Sequence, residues 1–328
     1  MFDMRRREFI ALVGGAATWP LAARGQQMMP VIGYIDSASL ESRRFTLTGF
    51  QQGLREVGYA DGQNLAIEYR WGNGQYDRLP ALAADLVGRG VAAIVTGGGT
   101  VTALAAKAAT TTIPIVFIVG GDPVEAGLIA SLNRPGGNAT GVSILTVALV
   151  AKRLELLREL VPSANVIPFL VNPASPNAEV ERNEVLAAAS TLGIRVPVMH
   201  ATTEHDIDAI FAALERSRPP AILISTDPFF TSQRNHLVAL AAHYAIPAVY
   251  AWREYSAAGG LMSYGTNLNE MYRQAGVYSG RILRGTRPEE LPVIQPTHFE
   301  LVINLRTAKR LGLTVPPTLL ARADEVIE

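Results

Sequence analysis

The same order of strand-like and helix-like segments occurs twice along the chain. The first copy begins at Val31–Asp36 and the second at Val166–Asn172. In both copies, short apolar runs rich in Val, Ile and Ala alternate with helical stretches of about 10–15 residues, a pattern that predicts βαβ units. We therefore expect an α/β fold with two Rossmann-like lobes, each built on a parallel sheet. A cleft at the carboxyl ends of the strands is where such sheets bind ligands.

Turn-rich segments predict where the chain passes between the two lobes. Three of them are the hinge candidates, with plain surface loops as the alternative. They are Gly141–Ser143, Ser263–Gly265 and Pro292–Pro296. Lobe 1 is expected to comprise residues 30–143 and 265–291, and lobe 2 residues 144–264 and 292–328. The last helix is predicted at Leu305–Leu311.

The composition limits the classes of protein to which this chain can belong. Its 328 residues are 48% hydrophobic, which is enough for two domains with a core each. Lys plus Arg equals Asp plus Glu at 29 each, so the charge balance gives no support for nucleic acid or an anionic membrane as a partner. The absence of cysteine excludes thiol catalysis, Cys-ligated zinc, disulfides and a lipid-modified N-terminal Cys.

Residues 1–25 are predicted to be an export signal of the twin-arginine type. Arg5–Ile10 is a basic start with paired arginines, and Ala11–Ala23 is mildly apolar but shorter than the ~20 residues that a membrane span takes. Ala23–Gly25 fits a cleavage site. An amphipathic first helix and the general export route are the alternatives. We expect the mature chain to be soluble in the periplasm, without a lipid anchor or membrane insertion.

In lobe 1, polar loops follow the predicted strands. Asp36 and Ser37 come after the first strand, and Gly98, Gly99 and Thr100 lie between the third strand and a helix. Glycines allow close approach of the backbone, and the free N–H groups of a helix start suit a carboxylate or phosphate. A tight structural turn is the alternative. The G-x-G-x-x-G spacing of dinucleotide sites is absent because position 102 is threonine, so no nucleotide cofactor is expected.

The corresponding loops of lobe 2 carry an amide, an acid and aromatic rings. Asn172 follows the first strand, Asp227 precedes Pro228 and Phe229, and Trp252 follows the last strand of the repeat. Exposed rings are costly unless something covers them, so they form either the wall of the cleft or part of the core. In lobe 1, the matching acid is Asp122, which is either a helix cap or a carboxylate that binds a cationic group of a ligand.

The sequence offers little for covalent chemistry. It contains no G-x-S-x-G elbow, and none of its five histidines has the spacing of a metal site. We expect no catalytic residue, no metal and no cofactor. An enzyme on this scaffold would need Asp122 and Asp227 as a convergent acid–base pair.

Several longer motifs resemble one protein family. They are Thr112–Phe117, Gly121–Val124, Arg134–Ser143, Ser263–Gly265 and Leu301–Leu313. These segments resemble the ABC-transporter substrate-binding family that includes tryptophan-binding TrpX-like lipoproteins, and the likeness covers nearly all of the chain after the export signal. The resemblance implies a type I periplasmic-binding architecture with a central cleft and multiple hinge crossovers.

The resemblance also implies a function and a ligand. The protein would close on a small-molecule ligand, an amino acid or an aromatic or apolar carboxylate, and dock on an ABC permease in the inner membrane. Gly98–Thr100 would hold a carboxylate, Asp122 and Asp227 would be candidates for an ammonium group, and Tyr264 joins the ligand-binding candidates. A periplasmic ligand sensor and a two-lobed hydrolase or transferase are the alternatives.

At two places the chain departs from the motifs of that family. The family often has Gly-Thr-Pro where this chain has Gly98-Gly99-Thr100, and Asp-Asn where it has Asp227-Pro228. Both places lie at the expected cleft. The substrate is therefore expected to differ from tryptophan.

Overall fold

Two α/β sheets make up the protein, which is described by a computed structural model over residues 29–328. The predicted export signal, residues 1–25, lies outside the described residues. The first sheet has five strands, in chain order β1 (Val31–Asp36), β2 (Ala66–Trp71), β3 (Ala93–Thr96), β4 (Ile115–Val119) and β5 (Ala139–Ser143). Their spatial order is β2-β1-β3-β4-β5, and every neighbouring pair is parallel.

The second sheet has seven strands. In chain order they are β6 (Phe169–Val171), β7 (Val198–His200), β8 (Ile222–Ile224), β9 (Ala248–Tyr250), β10 (Met262–Gly265), β11 (Glu300–Asn304) and β12 (Glu325–Ile327). Their spatial order is β12-β11-β10-β9-β8-β6-β7, and only the β10–β11 pair is antiparallel. The prediction of two lobes built on parallel sheets is confirmed.

Twelve α-helices connect these strands within the described part of the chain. They are α1 (Leu40–Glu56), α2 (Leu79–Gly88), α3 (Thr100–Ala109), α4 (Val150–Leu160), α5 (Ala178–Leu192), α6 (Glu204–Ser217), α7 (Pro228–Ser232), α8 (Arg234–His243), α9 (Arg253–Ala257), α10 (Leu268–Leu283), α11 (Leu305–Arg310) and α12 (Pro317–Leu320). Their buried residues recur at helical spacing, such as Leu79, Ala83 and Leu86 in α2. Within residues 29–328, no helix has both the length and the apolar character needed to span a bilayer.

The chain passes between the sheets three times, after β5, after β10 and after Ile294. Gly141–Ser143, predicted as a hinge, form the end of the fully buried edge strand β5, directly before the first crossover, and their bending stays a prediction. A Cβ on Gly141 would overlap the carbonyl oxygen of Phe117 in β4. Glycine is therefore needed here because β4 and β5 approach closely, and not because the chain turns. Ser263–Gly265 likewise lies inside β10, and Ile294 in the third candidate pairs with Val142 of the first sheet.

The C-terminal end extends further than the sequence indicated. Leu305–Leu311 was predicted as the last helix, but α12 and the edge strand β12 follow α11. Both elements are short, at four and three residues, so neither leaves a periodic pattern in the sequence.

Helix α10 returns to the first lobe after the second crossover and packs tightly on α1. A Cβ on Gly53 of α1 would overlap the Arg273 carbonyl, and a Cβ on Gly276 of α10 would overlap the Phe50 carbonyl. The two helices therefore meet backbone to backbone, which only glycine permits at these positions. The largest apolar cluster joins both lobes, since it contains Phe50 as well as Trp252.

Candidate functional site

Two cavities lie between the lobes, at the carboxyl ends of the parallel strands. The inner cavity, of about 40 Å³, has walls that include Arg43, Gly99, Thr100, Asp227, Trp252 and Tyr272. The outer cavity, of about 430 Å³, has walls that include Leu104, Asp122, Glu125, Ser143, Val180 and Glu184. Residues from both lobes line each cavity, so each depends on the lobes being close together.

Arg43 brings a cation to the inner cavity from the first turn of α1. Ser39 caps this helix by accepting a hydrogen bond from the Ser42 N–H. Arg43 is 4% exposed, and its Nε lies 3.4 Å from Asp36 Oδ1. Burial alone would lower the pKa of Arg43, but the Asp36 carboxylate together with Tyr272 and Tyr34 outweighs burial and raises that pKa above its ordinary value. Its Nη atoms donate no hydrogen bond within residues 29–328 and so remain available to a ligand.

The loops behind Arg43 are held together by three of the predicted ligand residues. Asp36 Oδ1 accepts a hydrogen bond from the Ala38 N–H at 2.8 Å, and Ser37 Oγ donates to the Gly98 carbonyl at 2.9 Å. Gly98 has a φ of 72°, a conformation that favours glycine. Asp36, Ser37 and Gly98 do not line the inner cavity, so the structure gives them a role in shaping its wall.

Asp227 brings a carboxylate to the inner cavity from the N-terminus of α7. Its Oδ1 accepts hydrogen bonds from Asn172 Nδ2 at 2.8 Å, from the Tyr76 hydroxyl at 2.8 Å and from the Phe229 N–H at 3.0 Å. Its Oδ2 is buried and has no hydrogen-bond partner among the described residues. Burial raises the pKa of Asp227, and the hydrogen bonds offset this only in part. Oδ2 thus has no hydrogen bond of normal geometry, although the nearby Ser175 hydroxyl also favours the ionised form of Asp227, and both residues line the inner cavity.

The Tyr76–Asp227 hydrogen bond joins the two lobes. Tyr76 follows β2 of the first sheet, in a short 3-10 helix, whereas Asp227 follows β8 of the second. Burial, together with the neighbouring Asp227 carboxylate, raises the pKa of Tyr76 well above its ordinary value. Asn172 donates a hydrogen bond to the same oxygen of Asp227. It was predicted to bind the ligand, but in the structure it holds Asp227 in place.

Only one of the three predicted aromatic ligand residues lines a cavity. Trp252 lines the inner cavity, directly before α9. Phe229 packs against Phe230 in the core, with ring centroids 5.3 Å apart. Tyr264 lies in β10 beside Phe299, with ring centroids 6.2 Å apart, and lines neither cavity.

Asp122 stands on the wall of the outer cavity and is exposed. Its Oδ1 accepts hydrogen bonds from the Val124 N–H at 2.7 Å and the Glu125 N–H at 3.4 Å, which is the turn-capping role. Asp227 lines the inner cavity instead. The structure therefore does not bring Asp122 and Asp227 together as the acid–base pair that an enzyme would need.

Asn177 separates the two cavities. Its Nδ2 donates to Thr100 Oγ1 at 3.3 Å across the lobes, and a Cβ on Gly121 would overlap its Oδ1. Asn177 and Thr100 line both cavities, as do Gly120 and Pro176. The glycines after β4 thus allow a side chain of lobe 2 to lie directly against the backbone of lobe 1.

A second buried ion pair lies behind the wall that lobe 2 contributes. Glu181 Oε1 accepts hydrogen bonds from the N–H and the Oγ1 of Thr226, both at 3.0 Å, and lies 3.7 Å from Arg153 Nη2. Arg153 Nη2 also donates to the Thr146 carbonyl at 2.9 Å. Burial raises the pKa of Glu181 to about 7 and lowers that of Arg153 to about 10. Because Thr146 and Thr226 line the inner cavity, this pair positions part of its wall.

Sequence reasoning missed Arg43, Tyr76 and Asn177. One signal was available for Arg43, which shares the buried face of α1 with Leu47 and Phe50 at helical spacing. An arginine on an apolar helix face indicates either a buried ion pair or a ligand. Nothing local distinguishes Tyr76 or Asn177, because their partners lie on the opposite lobe.

The sequence of nearly the whole described chain matches one family. Residues 31–327 match the family model described as "ABC transporter substrate binding protein". The chain belongs to this family. The predicted resemblance and the type I periplasmic-binding architecture are confirmed.

The chain is similar to a protein named tyrosine-binding protein from Clostridioides difficile (strain R20291). It is 26% identical over 265 residues, which cover 81% of this chain and 76% of that protein. The crystal structure of an ABC domain in complex with L-Trp from Streptococcus pneumoniae is 26% identical. The two structures align with a TM-score of 0.82 over 91% of this chain and 99% of that one.

The ligand-free, open structure of a substrate binding protein with adhesive properties from Clostridium difficile is 25% identical and has the same coverages, 91% and 99%. Its TM-score is 0.63, against 0.82 for the L-Trp complex.

Proposed function

We propose that the protein is the extracytoplasmic solute-binding component of an ABC importer and that it binds an α-amino acid in the inner cavity. The observation that carries the proposal is the pairing of opposite charges on its walls. Lobe 1 offers the Nη atoms of Arg43, and lobe 2 offers the unpartnered Oδ2 of Asp227. A zwitterion satisfies both at once, with its carboxylate at Arg43 and its ammonium group at Asp227.

The unpartnered Asp227 oxygen favours an amino acid over a bare aromatic or apolar carboxylate. A carboxylate ligand would satisfy Arg43 but leave Asp227 Oδ2 buried without a donor. Such a group costs about 1–3 kcal/mol, and more when it is charged. Thr100, at the first position of α3, supports the ligand carboxylate with the N–H groups of the helix start.

The volume of the inner cavity limits the size of the ligand side chain. At about 40 Å³ it is small, and Trp252 and Tyr272 occupy much of the surrounding space. The named relatives bind tyrosine and L-Trp. An aromatic side chain needs more room than the inner cavity offers as described.

Transport requires that ligand binding changes the shape of the protein. A ligand that touches Arg43 of lobe 1 and Asp227 of lobe 2 has a higher affinity for the closed state and shifts the population towards it. The closed form would then dock on an ABC permease in the inner membrane. Family membership supports this role, and the predicted export signal supports a location in the periplasm. We infer binding without catalysis, since Asp122 and Asp227 face different cavities.

Titration calorimetry with a matched set of ligands tests the proposal. The set is L-tyrosine, L-tryptophan, L-alanine, 3-phenylpropionate and 2-phenylethylamine. We expect at least one amino acid to bind more tightly than both single-charge analogues and to reduce the radius of gyration in solution scattering. Tighter binding of 3-phenylpropionate would contradict the role of Asp227. If none of these three amino acids binds, and none of the other standard amino acids binds when titrated in turn, the proposed ligand class is refuted.

A further inference from the structure

Tyr76 connects the two lobes although it lines neither cavity. Its hydroxyl donates to Asp227 Oδ1 at 2.8 Å and accepts a hydrogen bond from the Phe229 N–H at 3.3 Å. Neither bond uses the Asp227 Oδ2 atom, which the proposed function assigns to the ligand. The contact can therefore form without a ligand.

Lobe 1 fixes Tyr76 in place. The ring of Tyr76 packs on the apolar cluster that contains Leu79. In the turn before it, Asn73 and Gly74 have φ values of 54° and 80°, a region that asparagine and glycine adopt more readily than other residues. Three backbone hydrogen bonds of 2.7 to 3.2 Å tie this turn to the loop after β1, from the N–H groups of Gly72, Asn73 and Gly74 to the carbonyls of Asp36, Ala38 and Ser37. Because the hydroxyl is held in position before it meets lobe 2, its contact costs little conformational entropy.

Tyr76 also lies at the edge of the first sheet that is opposite to the crossovers. The chain leaves this sheet after β5, and Ile294 of the third crossover pairs with Val142 of the same strand. Tyr76 follows β2, at the other end of the order β2-β1-β3-β4-β5. Four strand spacings of about 4.8 Å separate the two edges, so an opening of about 10° at the β5 edge would move the hydroxyl by about 3 Å. A small opening of the cleft therefore breaks its bonds.

Two further contacts join the same segment of lobe 2 to lobe 1, but neither is a hydrogen bond. Pro228 lies against Gly99, where a Cβ would come within 3.2 Å of Pro228 Cγ. The Arg234 guanidinium lies over the Phe45 ring, 5.7 Å from its centroid. Tyr76 therefore supplies the directional bonds between this segment and lobe 1.

We propose that Tyr76 is a latch that holds the mouth of the cleft shut in the ligand-free protein. The two oxygens of Asp227 then have different partners, since Oδ1 accepts the hydrogen bond of the latch and Oδ2 remains for the ligand. A hydrogen bond to a carboxylate is charge-assisted and stronger than one between neutral groups. By raising the population of the closed state, the latch raises the affinity of every ligand by the same factor. The proposal concerns the ligand-free protein and so goes beyond the proposed function.

Pulsed electron paramagnetic resonance between two spin labels tests the latch without a ligand. Because the chain contains no cysteine, Arg44→Cys and Asn235→Cys provide the two labelling sites. Both positions are exposed and adjoin Phe45 and Arg234, which meet across the mouth of the cleft. The distance between the labels therefore reports how far the mouth is open.

Tyr76→Phe removes the hydroxyl and keeps the ring on the lobe 1 cluster. We expect the ligand-free protein to show a short distance between the labels, and Tyr76→Phe to shift most molecules to a longer one. In calorimetry, Tyr76→Phe should weaken the binding of each amino-acid ligand by the same factor, about threefold to tenfold. Tyr59→Phe is the matched control, because it removes a hydroxyl from lobe 1 at the opposite end of β2, and it should change neither measurement.

Equal distances in the ligand-free protein with and without Tyr76→Phe would overturn the latch. If affinity still fell in that case, Tyr76 would only orient Asp227. A loss of affinity that differs strongly from one ligand to the next would overturn it too, because it would mean that Tyr76 contacts the ligand. If no amino acid binds, the proposed function fails, but the distance between the labels still decides whether Tyr76 is a latch.

Discussion

Each lobe buries one arginine against one carboxylate, but the two pairs differ in what surrounds the guanidinium group. Arg43 of lobe 1 borders the inner cavity, and its Nη atoms have room for a ligand. Arg153 of lobe 2 is fully buried, lines neither cavity, and leaves Nε and Nη1 without partners within the described residues. Both arginines lack hydrogen-bond acceptors, yet only Arg43 lies where a ligand can supply them.

The difference shows that an incomplete set of hydrogen bonds indicates a binding site only beside a void. Around Arg43 and Asp227, the missing partners define the charge pattern of a ligand. Around Arg153, the missing partners lower stability, and the pair holds Thr146 and Thr226 in place. Substitutions in the two pairs should therefore affect different measurements.

The largest effect is expected on stability, from Glu181→Gln. The glutamine keeps an oxygen for Thr226 but leaves the buried Arg153 without a counter-charge. Removing one member of a buried pair costs about 3–5 kcal/mol, which urea denaturation measures well above pH 7, where Glu181 with its pKa of about 7 is ionised. The double variant Arg153→Met/Glu181→Gln should regain most of that loss. Glu184→Gln, on the exposed face of the same helix, is the control and should unfold like the wild type.

The next largest effect is expected on affinity, from Asp227→Asn. The amide keeps an acceptor for Asn172 and the Phe229 N–H but presents a neutral group to the ligand ammonium. A hydrogen bond to a charged group contributes about 1.5–3 kcal/mol, so amino-acid affinity should fall about tenfold to hundredfold in calorimetry. Asp77→Asn, at an exposed position of lobe 1, should bind like the wild type. Equal affinity in Asp227→Asn would remove this residue from the site.

A smaller effect is expected from Arg43→Lys. Lysine keeps the charge beside Asp36 and so protects the fold, but it lacks the planar fork that meets a carboxylate with two hydrogen bonds. We expect amino-acid affinity to fall about tenfold with little change in melting temperature. The neighbouring Arg44 is exposed, and Arg44→Lys is the matched control. If both variants bind equally well, the ligand carboxylate is held elsewhere.

The smallest effect is expected from a change of pH to the pKa of Asp227, where half of the carboxylate is still ionised and affinity falls only about twofold. Burial raises the pKa of Asp227, and a bound ammonium group favours its ionised form, so affinity is full above that raised pKa and falls as pH drops through it. Glu181, with a pKa of about 7, lies behind the same wall, and Arg43 and Tyr76 are the other ionisable groups near Asp227. The loss of amino-acid affinity at low pH should persist in Glu181→Gln and disappear in Asp227→Asn. If affinity still falls at low pH in Asp227→Asn, another ionisable group causes the pH dependence.

The repeat was sufficient to predict the two sheets, because βαβ units leave a strong local pattern of short apolar runs and helices. The sequence analysis treated the end of β5 as a turn, because the small residues of Ala139–Ser143 are typical of a turn as well as of a crowded edge strand. At the site, Asp227, Gly99, Thr100 and Trp252 were predicted from their positions after strands, and all four line the inner cavity. Arg43 was missed because it comes from a helix and not from a strand end.

The part of the site that depends on lobe closure could not be predicted from local patterns. Tyr76 and Asp227 are 151 positions apart in the chain, and Asn177 and Thr100 are 77 apart. Their contacts exist only because the lobes come together, and a single sequence carries no signal for such pairs. The role of Asn177 between two cavities follows from the glycines opposite it, at Gly120 and Gly121.

The glycine contact between α1 and α10 has a consequence for synthesis of the chain. During translation, α1 emerges early, whereas Gly276 and its helix come after the whole of the second lobe up to β10. Until then, the groove at Gly49 and Gly53 has no partner, and the apolar side chains around it stay uncovered. A fragment that ends before Leu268 should therefore fail to fold its first half, because the first lobe is completed only after most of the second lobe has been synthesised.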